Sequence, residues 1–247
     1  MGIHTASRIR FEAAPRGLVV LLASAVVLLA ACAAPVQRQT PELRRGAEGL
    51  PTIVVMPLDV ELSELTAGGM AEPRAVWTDS ALSHMRAALE EEAEHYKVKL
   101  VDYRADGGSA EDQTMSLELM RLHRAVGGSV LVHRYFPELE LPNKGGKFDW
   151  SLGPSVAAIA RSHAADYALF LFVRDSYASA GRVAVMVIGA LLGAGISGGS
   201  QIGFASVVDL RNGDIVWFNR LARAYGDLRT PEAAAETVKA LVSDSLK

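Results

Sequence analysis

Asn212-Gly213 stands between two apolar runs, Phe204 to Asp209 and Ile215 to Arg220, in the stretch Phe204-Ala205-Ser206-Val207-Val208-Asp209-Leu210-Arg211-Asn212-Gly213-Asp214-Ile215-Val216-Trp217. Both turn residues tolerate positive φ, so the pair predicts two antiparallel strands joined by a tight turn over Arg211 to Asp214. Upstream, Asp166-Tyr167-Ala168-Leu169-Phe170-Leu171-Phe172-Val173 is too apolar for a surface strand and reads as the buried centre of a sheet. A third apolar run, Ile53 to Leu58, reads as another buried strand, with Pro57 at its end where no ladder donor is needed. These three features commit the chain to a sheet of several strands.

Helical spacing fills the gaps between the strands. Thr78 is read as a cap with Trp77 and Leu82 as a hydrophobic staple. The buried stripe of that helix is then Ala81, Met85, Leu89 and Tyr96, with Glu90, Glu91, Glu92 and Glu94 solvated. Val98 to Asp102 reads as a strand. A second helix starts near Ser109, presents Met115, Leu119 and Leu122 on one side, and is broken or bent by Gly127-Gly128. After the loop Pro142 to Lys147, a short helix covers Pro154 to His163. Thr230-Pro231-Glu232 opens a last helix towards Leu246, a cap followed by proline at the first helical position. The order β-α-β-α-α-β-β-β-α predicts one α/β domain, a mixed β-sheet with a hairpin in its C-terminal half and helices packed on the sheet.

The first thirty-odd residues follow a different logic. Arg8, Arg10 and Arg16 precede an uninterrupted small-and-apolar run from Leu18 to Leu29, and Leu29-Ala30-Ala31-Cys32 ends it with the chain's one cysteine. A basic region, an apolar region too short for a comfortable membrane span and small residues at its end describe an export signal. The four closing residues resemble the bacterial lipobox, which implies a cut before Cys32 and a covalent diacylglycerol and N-acyl lipid on it. A lone thiol consumed in this way leaves nothing to mispair in an oxidising compartment. Expected boundaries are therefore a lipoprotein signal peptide at 1–31, a lipidated cysteine and flexible polar tether at 32–50, and the α/β domain at 51–247. By the same resemblance, a Gram-negative lipoprotein with aspartate after the cysteine stays at the inner membrane, so Ala33 implies, for a Gram-negative host, the periplasmic face of the outer membrane. The whole chain carries 25 Lys and Arg against 28 Asp and Glu, and removing 1–31 takes away three arginines and Glu12. A mildly acidic exported domain offers no general attraction to nucleic acid.

Ala165-Asp166-Tyr167-Ala168-Leu169, a polar loop, and Ala205 to Trp217 together resemble a group of bacterial envelope lipoproteins. That group includes the curli-secretion lipoprotein and the lipoprotein activators of penicillin-binding proteins. Its domain is similar to the anticodon-binding α/β fold, seen also in the amino-terminal domain of TolB. The resemblance runs over residues 51 to 247 in element order and rests on about twenty structural residues. It implies an anticodon-binding-like fold and an envelope compartment, with Trp217 serving the core.

Catalytic patterns fare worse. Gly193-Ala194-Gly195-Ile196-Ser197-Gly198 matches G-x-G-x-x-G but is followed by more glycine and a hairpin, with no helix to aim amides at a pyrophosphate. Gly195-Ile196-Ser197-Gly198-Gly199 matches a nucleophile elbow, yet no histidine follows His163 to complete a triad. His84, His95, His123, His133 and His163 make no ligand spacing, and each reads as a helix-surface or element-end residue. No catalytic residue, metal site or cofactor beyond the lipid on Cys32 is expected.

Physical patterning leaves one conspicuous segment. No charge occurs between Arg182 and Asp209; Gly189 and Gly193 are four residues apart, as are Gly195, Gly199 and Gly203 in turn. The segment 183–203 is read as an apolar, glycine-rich insertion that packs on its own sheet, makes a subunit contact or enters the membrane. The polar residues before it, Arg174, Asp175, Ser176 and Tyr177, are read as a loop at a strand end, the usual place for contacts. The expected activity is a non-catalytic, membrane-tethered binding or assembly module. Its partners would be the membrane, an unknown envelope protein and, as a further option, a second copy of itself. The competing expectation is an oligomeric secretion or pore-type lipoprotein that inserts 183–203. The curli type builds its barrel from strands of alternating polarity, from which this uniformly apolar segment departs.

Overall fold

The computed structural model describes residues 51–96, 98–224 and 226–242. The expected signal peptide, Cys32, the expected tether and the residues after 242 lie outside them, as do the side chain of Tyr96 and the expected run of the last helix towards Leu246. The described chain forms a seven-stranded mixed sheet with helices on both faces. That is the α/β architecture, hairpin included, that the pattern predicts.

The long strand β5 (Tyr167–Ala178) is the axis of the sheet. Strand β6 (Gly199–Asp209) runs antiparallel along one edge of β5 over its whole length, from Tyr167↔Asp209 to Tyr177↔Gly199. β7 (Ile215–Arg223) follows as the outer strand. The other edge is shared in tandem by β1 (Thr52–Val55) and β2 (Asp59–Leu65), both parallel to β5. Four steps from Val55 to Asp59 match three steps from Leu169 to Phe172 on β5, so the chain bulges between them. Pro57, with no N–H to give the ladder, sits in that bulge. Beyond this broken strand lie β4 (Lys99–Asp102), parallel to β1, and the short β3 (Ala71–Pro73), antiparallel to β2.

Alternation along the strands makes two cores. Ile53, Val55, Leu169, Leu171, Ala205, Val207 and Trp217 face α1 (Ala75–Tyr96) and α5 (Pro231–Val242). Val54, Met56, Ala168, Phe170, Phe204, Val208 and Phe218 face α2 (Ala110–Tyr135) and the short α3 (Ala157–His163). The predicted stripe Ala81, Met85 and Leu89 is wholly buried, and so is Trp217.

Local signals worked where chemistry was local. Ser109 caps α2 with a full capping box: its Oγ accepts from the Asp112 amide at 3.1 Å, and Asp112 reaches back. Thr230 Oγ1 accepts from the Ala233 amide at 3.4 Å at the start of α5. The hairpin turn departs from the expected one in one respect. Only Gly213 takes positive φ (+85°), while Asn212 holds the turn with its side chain, accepting from the Asp214 amide at 3.1 Å.

Two expectations about helices are corrected. Helix α1 begins at Ala75, so Thr78 is inside it and Trp77 with Leu82 form no staple. Thr78 Oγ1 instead accepts from the Leu62 amide at 3.0 Å and ties α1 to β2. Gly127-Gly128 do not break α2, which runs unbroken to Tyr135; at Gly127 the helix lies against the Phe204 ring, where a Cβ would stand 2.1 Å from Cε2.

Candidate interaction face

The loop expected at Arg174 to Tyr177 is not a loop. All four residues continue β5, paired with β2 on one side and with Ser200 to Ile202 and Gly199 on the other. Charged residues are tolerated there because each has a distant partner. Arg174 Nη2 donates to Asp59 Oδ1 at 2.7 Å, its Nη1 donates to the Asp59 carbonyl at 2.9 Å, and the guanidinium lies over Phe172 at 4.2 Å. Ser176 Oγ accepts from the Ser200 amide at 3.0 Å.

Asp175 and Tyr177 face the first core and are buried, so they form no exposed contact surface. Asp175 Oδ2 accepts from the Tyr177 hydroxyl, from Gln201 Nε2 at 3.0 Å and from the Leu228 amide at 3.3 Å. Gln201 Oε1 in turn accepts from Thr237 Oγ1 of α5 at 3.2 Å. Arg229 closes the cluster over the Tyr177 ring at 4.2 Å. The network fastens the segment that leads into α5 onto the sheet.

Burial pushes the Asp175 carboxyl up, against the bonds from Tyr177, Gln201 and Leu228 that pull it down. Burial, then the Asp175 carboxylate, pushes the Tyr177 phenol up as well. An unfolded aspartate loses its proton near pH 4 and the folded one later. Stability through this group is therefore complete below about pH 4 and falls as pH rises through the folded value. Asp175→Asn keeps an oxygen for all three donors and puts its amide where Oδ1 has no partner among the described residues. The exchange buries an amide without an acceptor, a cost present at both pH values, and removes the titration, so the variant should compare better with wild type at neutral pH than near pH 3. Urea midpoints at the two pH values check it, and an equal change at both would reject it.

Segment 183–203 does not form one insertion or one helical face. Ser179 accepts from the Arg182 amide at 3.1 Å and caps α4 (Ala180–Leu191), and by Gly199 the chain is already in β6. The five glycines are separated accordingly. Gly189 is buried in α4, where a Cβ would stand 2.6 Å from Ile196 Cδ1, so glycine lets the returning loop lie against the helix. Gly193, at φ +76°, ends the helix and Gly195 has open space around it. Gly199 and Gly203 sit in β6 opposite Tyr177 and Val173, where a Cβ would meet the β5 backbone at 2.1 and 2.4 Å. The ladder thus brings Gly199 and Gly203 beside Arg174 to Tyr177 and leaves Gly189, Gly193 and Gly195 apart from them.

What distinguishes α4 is its outward side. Val183, Ala184, Val187, Ile188 and Leu191 follow the i, i+4 rule of a single helical stripe, and that stripe points to solvent. Leu191 and Leu192 are 82% and 80% exposed, Ile188 59% and Val187 56%. On the inward side, Met186 and Gly189 pack on the loop that carries Ile196 and Gly198. A normal surface helix shows the reverse arrangement. Ser179 as a cap and apolar residues at 183, 187 and 191 were the signals for this helix, obscured by the glycines that follow.

Elsewhere polar interior groups are committed to structure. His163 Nε2 accepts from the Arg104 amide at 2.9 Å at the end of α3, as an element-end histidine should. His123 departs from the surface expectation: it is buried under α2 with Nε2 2.6 Å from Ser206 Oγ. A cleft of about 220 Å³ opens at the β1–β2 bulge beside it, between Pro57, Asp59, Met120 and Arg124. That is smaller than the usual ligand pocket. Among the described residues no three His, Cys, Asp or Glu side chains converge as a metal site would require.

No family's sequence profile matches the chain, and no curated protein matches it. Among solved structures, the C-terminal domain of LpoB from Salmonella enterica, in selenomethionine form, aligns with 74% of this chain and 87% of its own length. Identity is 15% and the TM-score 0.29, too distant a likeness to assign a role to any residue.

Proposed function

We propose that the protein is a non-catalytic cell-envelope lipoprotein, held to a membrane by an acylated Cys32 and presenting its α/β domain as a binding module. The observation that carries the reading is the arrangement of Arg8, Arg10 and Arg16, the apolar run Leu18 to Leu29, and a lone cysteine after Leu29-Ala30-Ala31. The commitment of His123, His163, Asp175 and Tyr177 to bonds within the fold supports a domain built for binding rather than turnover. Ala33 directs the anchor to the outer membrane, with the domain in the periplasm and an envelope protein as its partner. Among the described residues no helix is long and apolar enough to cross a membrane.

Growth with an alkyne-bearing fatty acid tests the anchor. Wild-type protein should carry the label in the outer-membrane fraction, and Cys32→Ala should carry none and keep its signal peptide. Unlabelled wild-type protein would overturn the reading.

A further inference from the structure

The outward stripe of α4 needs a cover, and its chemistry restricts what that is. Every large exposed side chain on it is aliphatic: Val183, Val187, Ile188, Leu191 and Leu192. No tryptophan, tyrosine or arginine, the residues that anchor protein interfaces, stands among them, and no charge occurs from Val183 to Val208. Arg182, at the start of the helix, is turned back to the Ser197 carbonyl at 3.0 Å. The neighbouring turn, where Gly69 lies against Arg182, adds Met70, 70% exposed. Such a surface suits hydrocarbon better than a protein partner.

We propose that α4 lies in the surface of the bilayer that holds Cys32, with its aliphatic stripe in the acyl margin and its inner side on the domain. At twelve residues, about 18 Å, the helix can lie in that margin but cannot cross it. The anchor allows this geometry. Thr52 pairs at the Asp166 end of β5, while α4 leaves from the Ala178 end, about 40 Å away along twelve strand residues. The twenty residues from Cys32 to Thr52 reach at most about 70 Å, so the lipid and α4 can engage one membrane together. The tether supplies effective concentration, so α4 needs only a modest affinity of its own. The domain would then sit in a fixed orientation rather than swing freely.

The inference takes its bilayer from the lipoprotein reading, but its test contains no acyl chain. Residues 33–247 are exported behind an ordinary cleavable signal, which also removes the chain's one cysteine. Leu191→Cys and, separately, the exposed Glu118→Cys of α2 carry a polarity-sensitive dye. With phosphatidylcholine vesicles the emission at position 191 should shift to the blue, also in about 1 M salt, and that at 118 should not. Val187→Glu with Ile188→Glu should cut vesicle binding at least tenfold and leave the thermal midpoint unchanged. If that variant unfolds, the two dye positions still decide. A silent dye at 191 overturns the proposal, as does a shift confined to anionic vesicles and lost in salt. A shift that grows with protein concentration in the absence of vesicles also overturns it, by showing that a second copy covers the face. An unlabelled Cys32 would remove the anchor and leave the vesicle result standing, so the two failures are distinct.

Discussion

Between pH 7 and pH 4 the domain is expected to lose about 3 kcal/mol of stability through one side chain, His123. Its ring is stacked on Phe170 at 4.4 Å and tilted against Phe204 at 5.3 Å, with Ser206 Oγ as its polar partner. Burial brings the imidazole down from its ordinary value of 6.5 to about 3, and the Asp59 carboxylate only weakly opposes this. The unfolded chain therefore takes up a proton near pH 6.5 that the folded chain refuses. Stability through His123 is complete above pH 6.5 and is lost at up to about 1.4 kcal/mol per unit as pH falls towards 3. Asp175 works in the opposite sense. Asp112 and Asp149, held low by their bonds to Arg161 and Lys144, add to the acid loss. The double variant His123→Phe with Ser206→Ala isolates the histidine, since it keeps an aromatic ring against Phe170 and strands no hydroxyl. Relative to wild type, its stability from urea titrations should improve by about 3 kcal/mol between pH 7 and pH 4. Parallel curves for the two proteins would show that His123 is protonated inside the fold.

Why His123 escaped notice in the sequence, while the hairpin did not, is a matter of range. Asn212-Gly213, the Ser109 cap and Thr230-Pro231 act on neighbours a few residues away, so their chemistry can be read in place. The uniform apolarity of Tyr167 to Val173 likewise announces a strand covered on both faces. Arg174 and Asp175 looked like the end of that strand because their partners are far off in sequence: Asp59, Gln201 and Leu228. Ending β5 at Val173 also leaves out Arg174 to Ala178, the edge on which most of β2 pairs, and β2 went unforeseen with it. Spacing of four among the glycines suggested a single face only on the premise of one helix. Leu191 ends that helix before Gly193, and the aliphatic stripe then appears on residues that mostly precede the glycines. The anchor proposed at Cys32 rests on a local signal of another kind, because processing enzymes read a lipobox as local sequence.

Gly127 and Gly128 are expected to respond in opposite directions to larger side chains, and the contrast measures how closely α2 sits on the sheet. In mid-helix each glycine costs about 1 kcal/mol relative to alanine, so a pair of them needs a reason. Gly128 shows none: no atom lies within 4 Å of where its Cβ would be. Gly128→Ala should stabilise the domain by up to about 1 kcal/mol, seen as a rise of roughly 2–4 °C in the thermal midpoint. A Cβ on Gly127 would stand 2.1 Å from Phe204 Cε2. That ring cannot yield, being 1% exposed and stacked between Phe172 at 4.9 Å and Phe218 at 5.4 Å. Leucine is a good helix former, so any damage from Gly127→Leu comes from the collision and not from propensity. The cost should be about 3 kcal/mol, at the upper end for overpacking, and the midpoint should fall by roughly 6–12 °C. Removing the ring with Phe204→Ala should make Gly127→Leu much less costly, because the new side chain then has the space the ring occupied. Additive losses in that double variant would place α2 farther from the sheet, leave Gly127 without its steric reason, and return the glycine pair to the helix-bending role its sequence suggests.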